Sequence, residues 1–446
     1  MAGRWCWANV AQGDVLIRDE TIAAIGDLRD VAADTVIDAG GLLVLPGGVD
    51  THVHFNDVFM NTVSVHDYAS GTRAAAFGGT TSVIDFSNQE PGATLLSTLD
   101  AKHAEADGKA LIDWGVHPVI TQPTDATLAE IPLVVDAGST TIKIYMTYRQ
   151  EGLLIEEPEM RRILAGLRDA GGMMLVHAED NDMAEASIPG FLARGQTAPI
   201  FHAESKPKAV ENRAMERCID VVRAVGGRLF VVHMTTSEGV EMIAAAGEAW
   251  TSSPKPVPTT WSSPTTCCAG PTASSGSARR RCVDKPIRTR SGRAGATAAS
   301  SRSPPTARPI RGGDLLRAGP LRPRVPTACR ASSPAFSCST PKRGKGRLSL
   351  PASWRSWPAT RRASSACRAR RAAARLRRRH RAARPHGQVD HGPGQLPFAQ
   401  RLHAYEGRAI TGKIARIFSR GQLIVDGNAC LAEPGRRRYL KRVLPQ

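Results

Sequence analysis

The segment Pro46-Gly47-Gly48-Val49-Asp50-Thr51-His52-Val53-His54-Phe55 carries two histidines separated by one residue, directly after the apolar run at residues 42–45. Side chains alternate along a β-strand, so His52 and His54 point to the same face if this segment is extended. Neutral imidazole is a common metal ligand, and two on one face supply a pair of ligands. Because a His-X-His pair also occurs among ordinary core and surface residues, its functional interpretation depends on partners elsewhere in the chain.

The length and composition are those of a globular protein. The chain has 446 residues, enough for one large domain or several ordinary ones. No apolar run approaches the roughly 20 residues that cross a bilayer, and residues 1–10 lack the layout of a signal peptide. The nine cysteines are odd in number and irregularly spaced, which argues against a disulfide framework. We therefore expect a soluble cytoplasmic protein that does not bind membranes.

The positive charge is confined to one part of the chain. The net charge is +18 at pH 7, a value that in general favours a polyanionic partner. Residues 251–389 contain 31 lysines and arginines against two acidic residues, and the remainder of the chain carries a net charge of −11. Most of the chain therefore has the charge balance of an ordinary enzyme, and nucleic acid is not expected as a partner.

Helical and extended patterns alternate from residue 64 onward. Before that point, short β-branched segments at residues 14–18 and 35–38, joined by Gly and Asp turns, predict a small β module. The alternating segments are a helix capped by Ser64 and ending at residue 77, strands at 80–86, 110–119 and 140–145, a helix at 158–170, a strand at 173–177, a helix at 210–225 and a strand at 229–233. Such alternation predicts a parallel α/β sheet, either a barrel or doubly wound.

Lys143, His177 and His233 lie on or at the ends of these predicted strands. In parallel α/β folds, functional side chains gather at the carboxyl ends of the strands. A single strand-end histidine is more often a hydrogen-bonded core residue, whereas a lysine within an apolar strand is costly to bury unless it pairs, loses its charge or reacts. His66 and His103 fall on helical patterns with polar neighbours, and we expect both to be solvated.

At these residues the sequence resembles the cyclic amidohydrolases of the dihydropyrimidinase and D-hydantoinase type, within the metal-dependent amidohydrolase superfamily. The resemblance runs from residue 14 to about residue 245. It rests on five stretches in the family's order: Leu45-Pro46-Gly47-Gly48-Val49-Asp50-Thr51-His52-Val53-His54, Ser70-Gly71-Thr72-Arg73-Ala74-Ala75-Ala76-Phe77-Gly78-Gly79-Thr80-Thr81, Ile142-Lys143-Ile144-Tyr145-Met146-Thr147-Tyr148, Val176-His177-Ala178-Glu179 and Val232-His233. Together these motifs are a specific signal.

The resemblance implies an α/β fold, a (β/α)8 barrel similar to a TIM barrel, with a small β-sandwich built from both chain ends. It also implies a homo-oligomer, a tetramer or a dimer, and two divalent metal ions, usually zinc. His52 and His54 would bind the more buried ion, His177 and His233 would bind the other, and Lys143 would bridge the two as a carbamate formed with CO2. A carbamate offers two anionic oxygens, whereas a protonated lysine has no lone pair for a metal.

The reaction that the resemblance implies is hydrolysis of a small cyclic amide or ureide ring, hydantoin or a 5,6-dihydropyrimidine, by a metal-bridged hydroxide. Metal ions lower the pKa of bound water and so supply a nucleophile near neutral pH. By the same resemblance, Tyr148 would donate its hydroxyl to the developing oxyanion. Without the family context, a tyrosine packed at the rim of a barrel explains Tyr148 equally well.

The sequence departs from the family after residue 248. The family has an aspartate late in the barrel, in an Asp-His-Cys-Pro-like stretch, which binds a metal and transfers a proton to the leaving nitrogen, and we find no counterpart. Residues 249–400 are rich in Ser, Pro, Thr, Ala and Arg and contain no Glu. Residues 263–274 can be written as their possible codons and read again in the frame that starts at each third base. That frame permits Ala-Asp-Asp-Val-Leu-Arg-Gly-Pro-Asp-Gly-Ile, a plausible globular sequence that resembles the family, so we interpret the segment as frame-shifted.

The chain is thereby divided into four parts. Residues 1–45 are the first part of the β-sandwich, residues 46–248 the metal-binding barrel with its first six strands, residues 249–400 the aberrant segment, and residues 401–446 the second part of the β-sandwich. A barrel without its last third exposes strand edges and apolar surface. We therefore expect the chain as written to be poorly soluble and weakly active.

Two other functions remain open on the sequence. A family member without the aspartate could serve as a catalytically inactive assembly protein. The basic segment, taken literally, could bind nucleic acid, although it has only four aromatic residues at 251–389 and no folded motif.

Overall fold

The structure is a computed structural model that describes residues 12–246, 373–377, 388–390 and 409–443. The strands are β1 (Asp14–Arg18), β2 (Thr21–Gly26), β3 (Thr35–Asp38), β4 (Gly48–Val53), β5 (Val58–Phe59), β6 (Thr62–Val63), β7 (Thr80–Asn88), β8 (Asp113–Val119), β9 (Thr141–Tyr145), β10 (Met173–His177), β11 (Leu229–Val231), β12 (Ala373–Arg377), β13 (Gln388–Asp390), β14 (Ala409–Thr411), β15 (Arg416–Ser419), β16 (Gln422–Asp426) and β17 (Ala429–Cys430).

The helices are α1 (Tyr68–Phe77), α2 (Leu95–Ala106), α3 (Asp125–Ala129), α4 (Ile131–Asp136), α5 (Glu157–Asp169), α6 (Asn181–Ala193), α7 (Pro199–Glu204), α8 (Lys208–Val225) and α9 (Ser237–Ala246), with a 3₁₀ turn at Arg149–Glu151. The reading-frame interpretation of residues 249–400, and the aspartate sought there, concern a segment that apart from β12 and β13 lies outside the described residues.

Six parallel strands form the central sheet, in the order β11-β10-β9-β8-β7-β4. A flat sheet of this order would separate its outer strands by about 24 Å, five spacings of about 4.8 Å. The rings of His52 and His233, at the ends of the two outer strands, have centroids only 5.2 Å apart. The sheet is therefore curled into a half-barrel, which is as much of the predicted barrel as the described residues contain.

Helices cover the outer face of the sheet and bury their apolar stripes against it. Helix α5 buries Met160, Ile163, Leu164 and Leu167 at helical spacing. Helix α8 contributes Ala214 and other apolar residues to the same core. The helices predicted at residues 158–170 and 210–225 are confirmed, with bounds shifted by one or two residues.

Two element boundaries differ from the sequence prediction. Helix α1 starts after Asp67, whose side chain accepts the Ser70 amide in a capping box, and Ser64 lies in the loop before it. The capping signal of Asp67 is the stronger one because it satisfies the first amides of the helix directly. The strand predicted to end at His233 ends at Val231, since His233 has a positive φ of 43° that breaks the ladder.

A small β module lies at the chain ends. Strands β2, β1, β12 and β3 form one sheet, and β15, β16 and β17 form another. Arg420, in the turn between β15 and β16, has its Nε 2.9 Å from both carboxylate oxygens of Asp113 and its Nη1 2.7 Å from Glu20. This ion cluster joins the module to the first residue of β8.

The last described residues run along the amino-terminal end of the central sheet. The Trp114 amide donates to the Arg438 carbonyl at 3.2 Å, and the Leu440 amide donates to the Trp114 carbonyl at 2.7 Å. The Tyr439 hydroxyl lies 3.0 Å from the hydroxyl of Ser139. These contacts fix the tail far from the carboxyl ends of the strands. None of the described helices is long and apolar enough to cross a membrane.

Candidate functional site

His52 and His54 lie at the carboxyl end of β4, where they are 3% and 6% exposed. Their ring centroids are 5.3 Å apart. Both rings contact Phe86 of β7, at centroid distances of 4.4 and 4.8 Å. The alternation of the strand therefore places both imidazoles on the inner face of the curled sheet, against one aromatic side chain.

The other two histidines singled out from the sequence lie beside this pair. The His233 ring is 5.2 Å from that of His52, and the His177 ring is 4.6 Å from that of His233, centroid to centroid. His54, His52, His233 and His177 thus form a continuous row of buried rings at the carboxyl end of the sheet. Curling of the sheet brings together residues that its strand order would otherwise hold apart.

Lys143 lies on β9 and is 1% exposed. Its Nζ is 3.3 Å from the centroid of the Tyr145 ring and 5.7 Å from the centroid of the Phe86 ring. Phe86 also contacts His52 and His54, so the amine lies in the same cavity as the histidine row. Burial of a lysine amine between aromatic rings is typical of a lysine with a chemical role, since a surface ion pair would keep it in water.

Tyr148 follows β9 at the rim of this cavity. Its ring centroid is 5.3 Å from that of His177 and 5.1 Å from that of Phe59. Its backbone has φ 70° and ψ 46°, a left-handed conformation that bulky residues rarely adopt. His233 also has a positive φ. Strained residues of this kind cluster at functional sites, where the surrounding structure holds them in place.

His54 has a buried polar partner that sequence reasoning missed. Its Nδ1 lies 2.7 Å from Oδ2 of Asp57, and the other oxygen of Asp57 accepts from Nδ2 of Asn88 at 3.1 Å. No spacing rule points to Asp57, because a tight turn with a positive φ at Asn56 brings it back towards the strand end.

His177 has an acidic neighbour as well. Its Nε2 is 3.2 Å from Oε2 of Glu179, which pairs with Nζ of Lys206 at 2.6 Å. Lys206 Nζ also lies 4.9 Å from the centroid of the Tyr148 ring. The motif Val176-His177-Ala178-Glu179 could have pointed to Glu179. Lys206 follows α7 in a loop, and its position depends on long-range packing that the sequence does not reveal.

A cleft of about 320 Å³ opens beside Tyr148. Glu151 and Lys206 contribute charged groups to its lining, and Met60 contributes an apolar side chain. His202 lines this cleft rather than the histidine row. The size suits a small organic molecule, and Tyr148 is shared between the cleft and the row of histidines.

The other histidines of the described residues lie outside the row. His117 lies in the middle of β8, where burial and the nearby charge of Arg442 hold its pKa well below the ordinary value. His66 is only 4% exposed, and burial lowers its pKa to about 4. The expectation of a solvated His66 is wrong, because its carbonyl accepts the Asn56 amide and the segment folds inward. His103 is half-buried on α2 because Tyr439 packs on it.

The side chains of this cavity fit a metal centre by their chemistry. Four buried imidazoles in a row are donors that a borderline cation such as zinc prefers, and Lys143 beside them could become an anionic ligand only as a carbamate. Within the described residues, no three His, Cys, Asp or Glu side chains are already grouped as a ready-made metal site. The four imidazoles are neighbours in one row without forming a completed ligand set among the described residues, and the sequence offers no counterpart of the sixth expected ligand, the late aspartate.

Comparisons with known proteins relate the sequence to a family. Residues 43–256 match the amidohydrolase family. The chain is 38% identical to the D-hydantoinase of Geobacillus stearothermophilus over 239 residues, 53% of this chain and 50% of that protein. It is 34% identical to the dihydropyrimidinase of Rattus norvegicus over 241 residues, 52% of this chain and 46% of that protein. The chain thus spans about half the length of the curated relatives it matches.

The fold is similar to solved structures of the same kind. The crystal structure of dihydropyrimidinase from Brevibacillus agri superposes with a TM-score of 0.84 at 25% identity, covering 99% of this chain and 97% of that one. A D-hydantoinase crystal structure gives the same TM-score and identity, with 98% and 96% coverage. The two alternative functions gain no support from these likenesses. The family match and the similar folds show that residues 43–256 carry an amidohydrolase domain, similar to the corresponding part of proteins named D-hydantoinase and dihydropyrimidinase.

Proposed function

We propose that the chain hydrolyses a cyclic amide or ureide ring, hydantoin or a 5,6-dihydropyrimidine. The observation that carries the proposal is the continuous row of four buried histidines with Lys143 in the same cavity. The names of the relatives, D-hydantoinase and dihydropyrimidinase, indicate the class of substrate. The cleft beside Tyr148 offers room for such a ring and its substituent.

The proposal assigns the metal ligands as the resemblance to the cyclic amidohydrolases implies them. His52 and His54 would hold one divalent ion, His177 and His233 would hold a second, and Lys143, as a carbamate formed from its amine and CO2 with loss of a proton, would supply anionic oxygens to them. Zinc suits the imidazole donors. When bound, the ions supply a nucleophilic water at neutral pH and polarise the substrate carbonyl.

In the proposed reaction, the Tyr148 hydroxyl donates a hydrogen bond to the substrate carbonyl oxygen as negative charge develops there. The donor is held before substrate arrives, because the Tyr148 carbonyl accepts the amides of Glu151 and Leu153, each at 3.1 Å. Phe59 packs edge-on against its ring. A donor fixed in this way loses little free energy to reorganisation when charge develops.

The test is ring opening by purified protein supplied with Zn²⁺ and bicarbonate, measured as loss of hydantoin or dihydrouracil and formation of the N-carbamoyl product. Two proteins are compared, the chain as written and the product of the gene with its frame restored across codons 249–400. We expect clear turnover by the second and weak turnover by the first. Tyr148→Phe should lower kcat about 10²- to 10³-fold with little change in KM, because only the hydroxyl is removed. Failure of both proteins to open either ring, with two metals bound per chain, would reject the function.

A further inference from the structure

We propose that Asp57 is a positioning residue that fixes the His54 imidazole with its proton on Nδ1 and its lone pair on Nε2. The inference rests on the proposed function, in which His54 is a metal ligand. Asp57 itself is not part of the ligand set and is not expected to touch substrate.

The contact between the two side chains is short and buried. His54 Nδ1 and Asp57 Oδ2 are 2.7 Å apart, and the side chains are 3% and 7% exposed. An ionised carboxylate can only accept hydrogen bonds. The imidazole nitrogen that faces it must therefore carry a proton, and in a neutral ring the lone pair is then on Nε2, the nitrogen on the far side of the ring.

Asp57 is held in place from two further directions. Nδ2 of Asn88, the last residue of β7, donates to Oδ1 at 3.1 Å. The Asp57 amide donates to the Ser64 hydroxyl at 2.8 Å, and the Asp57 carbonyl accepts the Ser64 amide at 3.0 Å. The carboxylate is thus fixed by a neighbouring strand and by the β5–β6 hairpin, independently of His54.

The plane of the His54 ring is set by a separate contact. The ring stacks on Phe86 with a centroid distance of 4.8 Å and an interplanar angle of 20°. Stacking limits tilting of the ring. The hydrogen bond to Asp57 favours the ring orientation that points Nδ1 at the carboxylate over the orientation rotated by 180° about the Cβ–Cγ bond. Together the two contacts determine which nitrogen is available to a metal. Partners of this kind are worth about 10- to 100-fold in metal affinity in other proteins.

The first experiment needs no metal. The full chain, labelled with ¹⁵N-histidine and freed of metal, is examined by long-range ¹H–¹⁵N correlation, and the His54 signals are assigned by their loss in His54→Gln. We expect the Nδ1–H tautomer for His54 in the unchanged chain. Asp57→Ala should shift His54 to the Nε2–H tautomer or to a mixture. Asp57→Asn should keep the Nδ1–H tautomer in part, because its amide oxygen still accepts.

The second experiment measures Zn²⁺ affinity by competition with a chromophoric chelator. We expect a loss of about 10- to 100-fold in Asp57→Ala and a smaller loss in Asp57→Asn. Asp67→Ala is the matched control, since it removes a carboxylate from the same region that caps α1 instead of contacting His54. It should lower stability while leaving the His54 tautomer and the affinity unchanged. If Asp57→Ala does not fold, Asn88→Ala takes its place, because it leaves Asp57 present but less firmly held.

The outcomes separate this inference from the proposed function. An Nε2–H tautomer in the unchanged chain, or an unaltered tautomer in Asp57→Ala, would overturn the positioning role whether or not zinc binds. Absence of zinc binding together with the expected tautomers would count against the proposed function and leave the role of Asp57 supported.

Discussion

Replacing Lys102 by methionine should destabilise the chain by about 3 to 5 kcal/mol, the usual effect of removing one partner of a buried ion pair. Lys102 is 5% exposed. Its Nζ lies 3.0 Å from Oδ2 of Asp85, 3.0 Å from Oε2 of Glu105 and 2.9 Å from the carbonyl oxygen of Phe55. Methionine fills most of the volume but leaves two carboxylates and a carbonyl without their shared cation.

The same pair holds the residue that follows His54. Asp85 Oδ1 accepts the Phe55 amide at 3.2 Å while Lys102 donates to the Phe55 carbonyl, so both polar groups of Phe55 are bound by one ion pair. The Lys102→Met variant should therefore loosen the carboxyl end of β4. This part of the effect is separate from the lost ion pair and is read from hydrogen exchange of the Phe55 amide, which should become faster.

Asp85 adds a pH dependence with a definite sign. Burial raises its pKa from 3.8 to about 6, outweighing the charge of Lys102, because the carboxyl is fully buried. A folded-state pKa above the unfolded value means that the folded chain binds the proton more tightly. This contribution to stability is present below pH 4 and is lost as the pH rises through about 6, an effect of about 3 kcal/mol at 1.36 kcal/mol per pKa unit.

Urea unfolding followed by tryptophan fluorescence measures both effects. Lys208→Met is the control, since the Lys208 pair with Glu238 is exposed and should be worth under about 1 kcal/mol. The double variant Lys102→Met/Asp85→Asn should lose less stability than Lys102→Met alone, because it also removes the fully buried carboxylate that Lys102→Met leaves without a cation. The reasoning is refuted if Lys102→Met loses under about 1 kcal/mol, or if Asp85→Asn shows the same pH dependence between pH 4 and 6 as the unchanged chain.

Two further pairs of variants test an ion pair and a close packing contact elsewhere in the fold. Arg420→Met should lower the free energy of unfolding in urea by about 3 kcal/mol, because it leaves the buried carboxylate of Asp113 without its cation. Arg416→Met removes only a half-exposed pair with Asp426 and should lower it by under about 1 kcal/mol. Gly71→Ala should lower stability by about 1 to 3 kcal/mol, since its Cβ would lie 2.3 Å from the Phe55 ring. Gly190→Ala in α6, where the added Cβ would meet nothing closer than 3.4 Å, should raise stability slightly. Equal effects of the two glycine changes would contradict the close packing on Phe55.

The elements that the sequence predicts well are those with a strong periodic pattern. Helix α5 repeats its apolar residues at helical spacing and is followed by Gly171-Gly172, so its bounds were predicted to within one residue. The buried strand β10 is a short apolar run that ends at His177, and it was predicted with the correct bounds. Local propensity and burial agree in these segments, so no long-range contact is needed to locate them.

The predictions that failed depend on contacts between distant residues. His66 was expected to be solvated because its neighbours are polar, but the hairpin that precedes it folds back and buries it. His103 was expected to be solvated as well and is half-buried, because Tyr439, more than three hundred residues later, packs against one side of it. Asp57, Asn88 and Lys102 carry no motif of their own, because their partners are set by the turn after β4 and by the packing of α2 against the sheet.

The row of histidines depends on the curvature of the sheet that carries it. His52 lies on β4 and His233 follows the end of β11, and these two outer strands are not hydrogen-bonded to each other. Their rings meet only because the sheet is curled. The arrangement of the site therefore depends directly on the curvature of the sheet. A change that flattened the sheet would separate His52 from His233 and break the row at its centre, leaving His52 with His54 and His233 with His177. These are the two pairs that the proposed function assigns to separate metal ions, and Lys143, on a strand between them, is the residue expected to join them. The motif at His52 and His54 therefore supplies half of a site whose other half is brought to it by the fold.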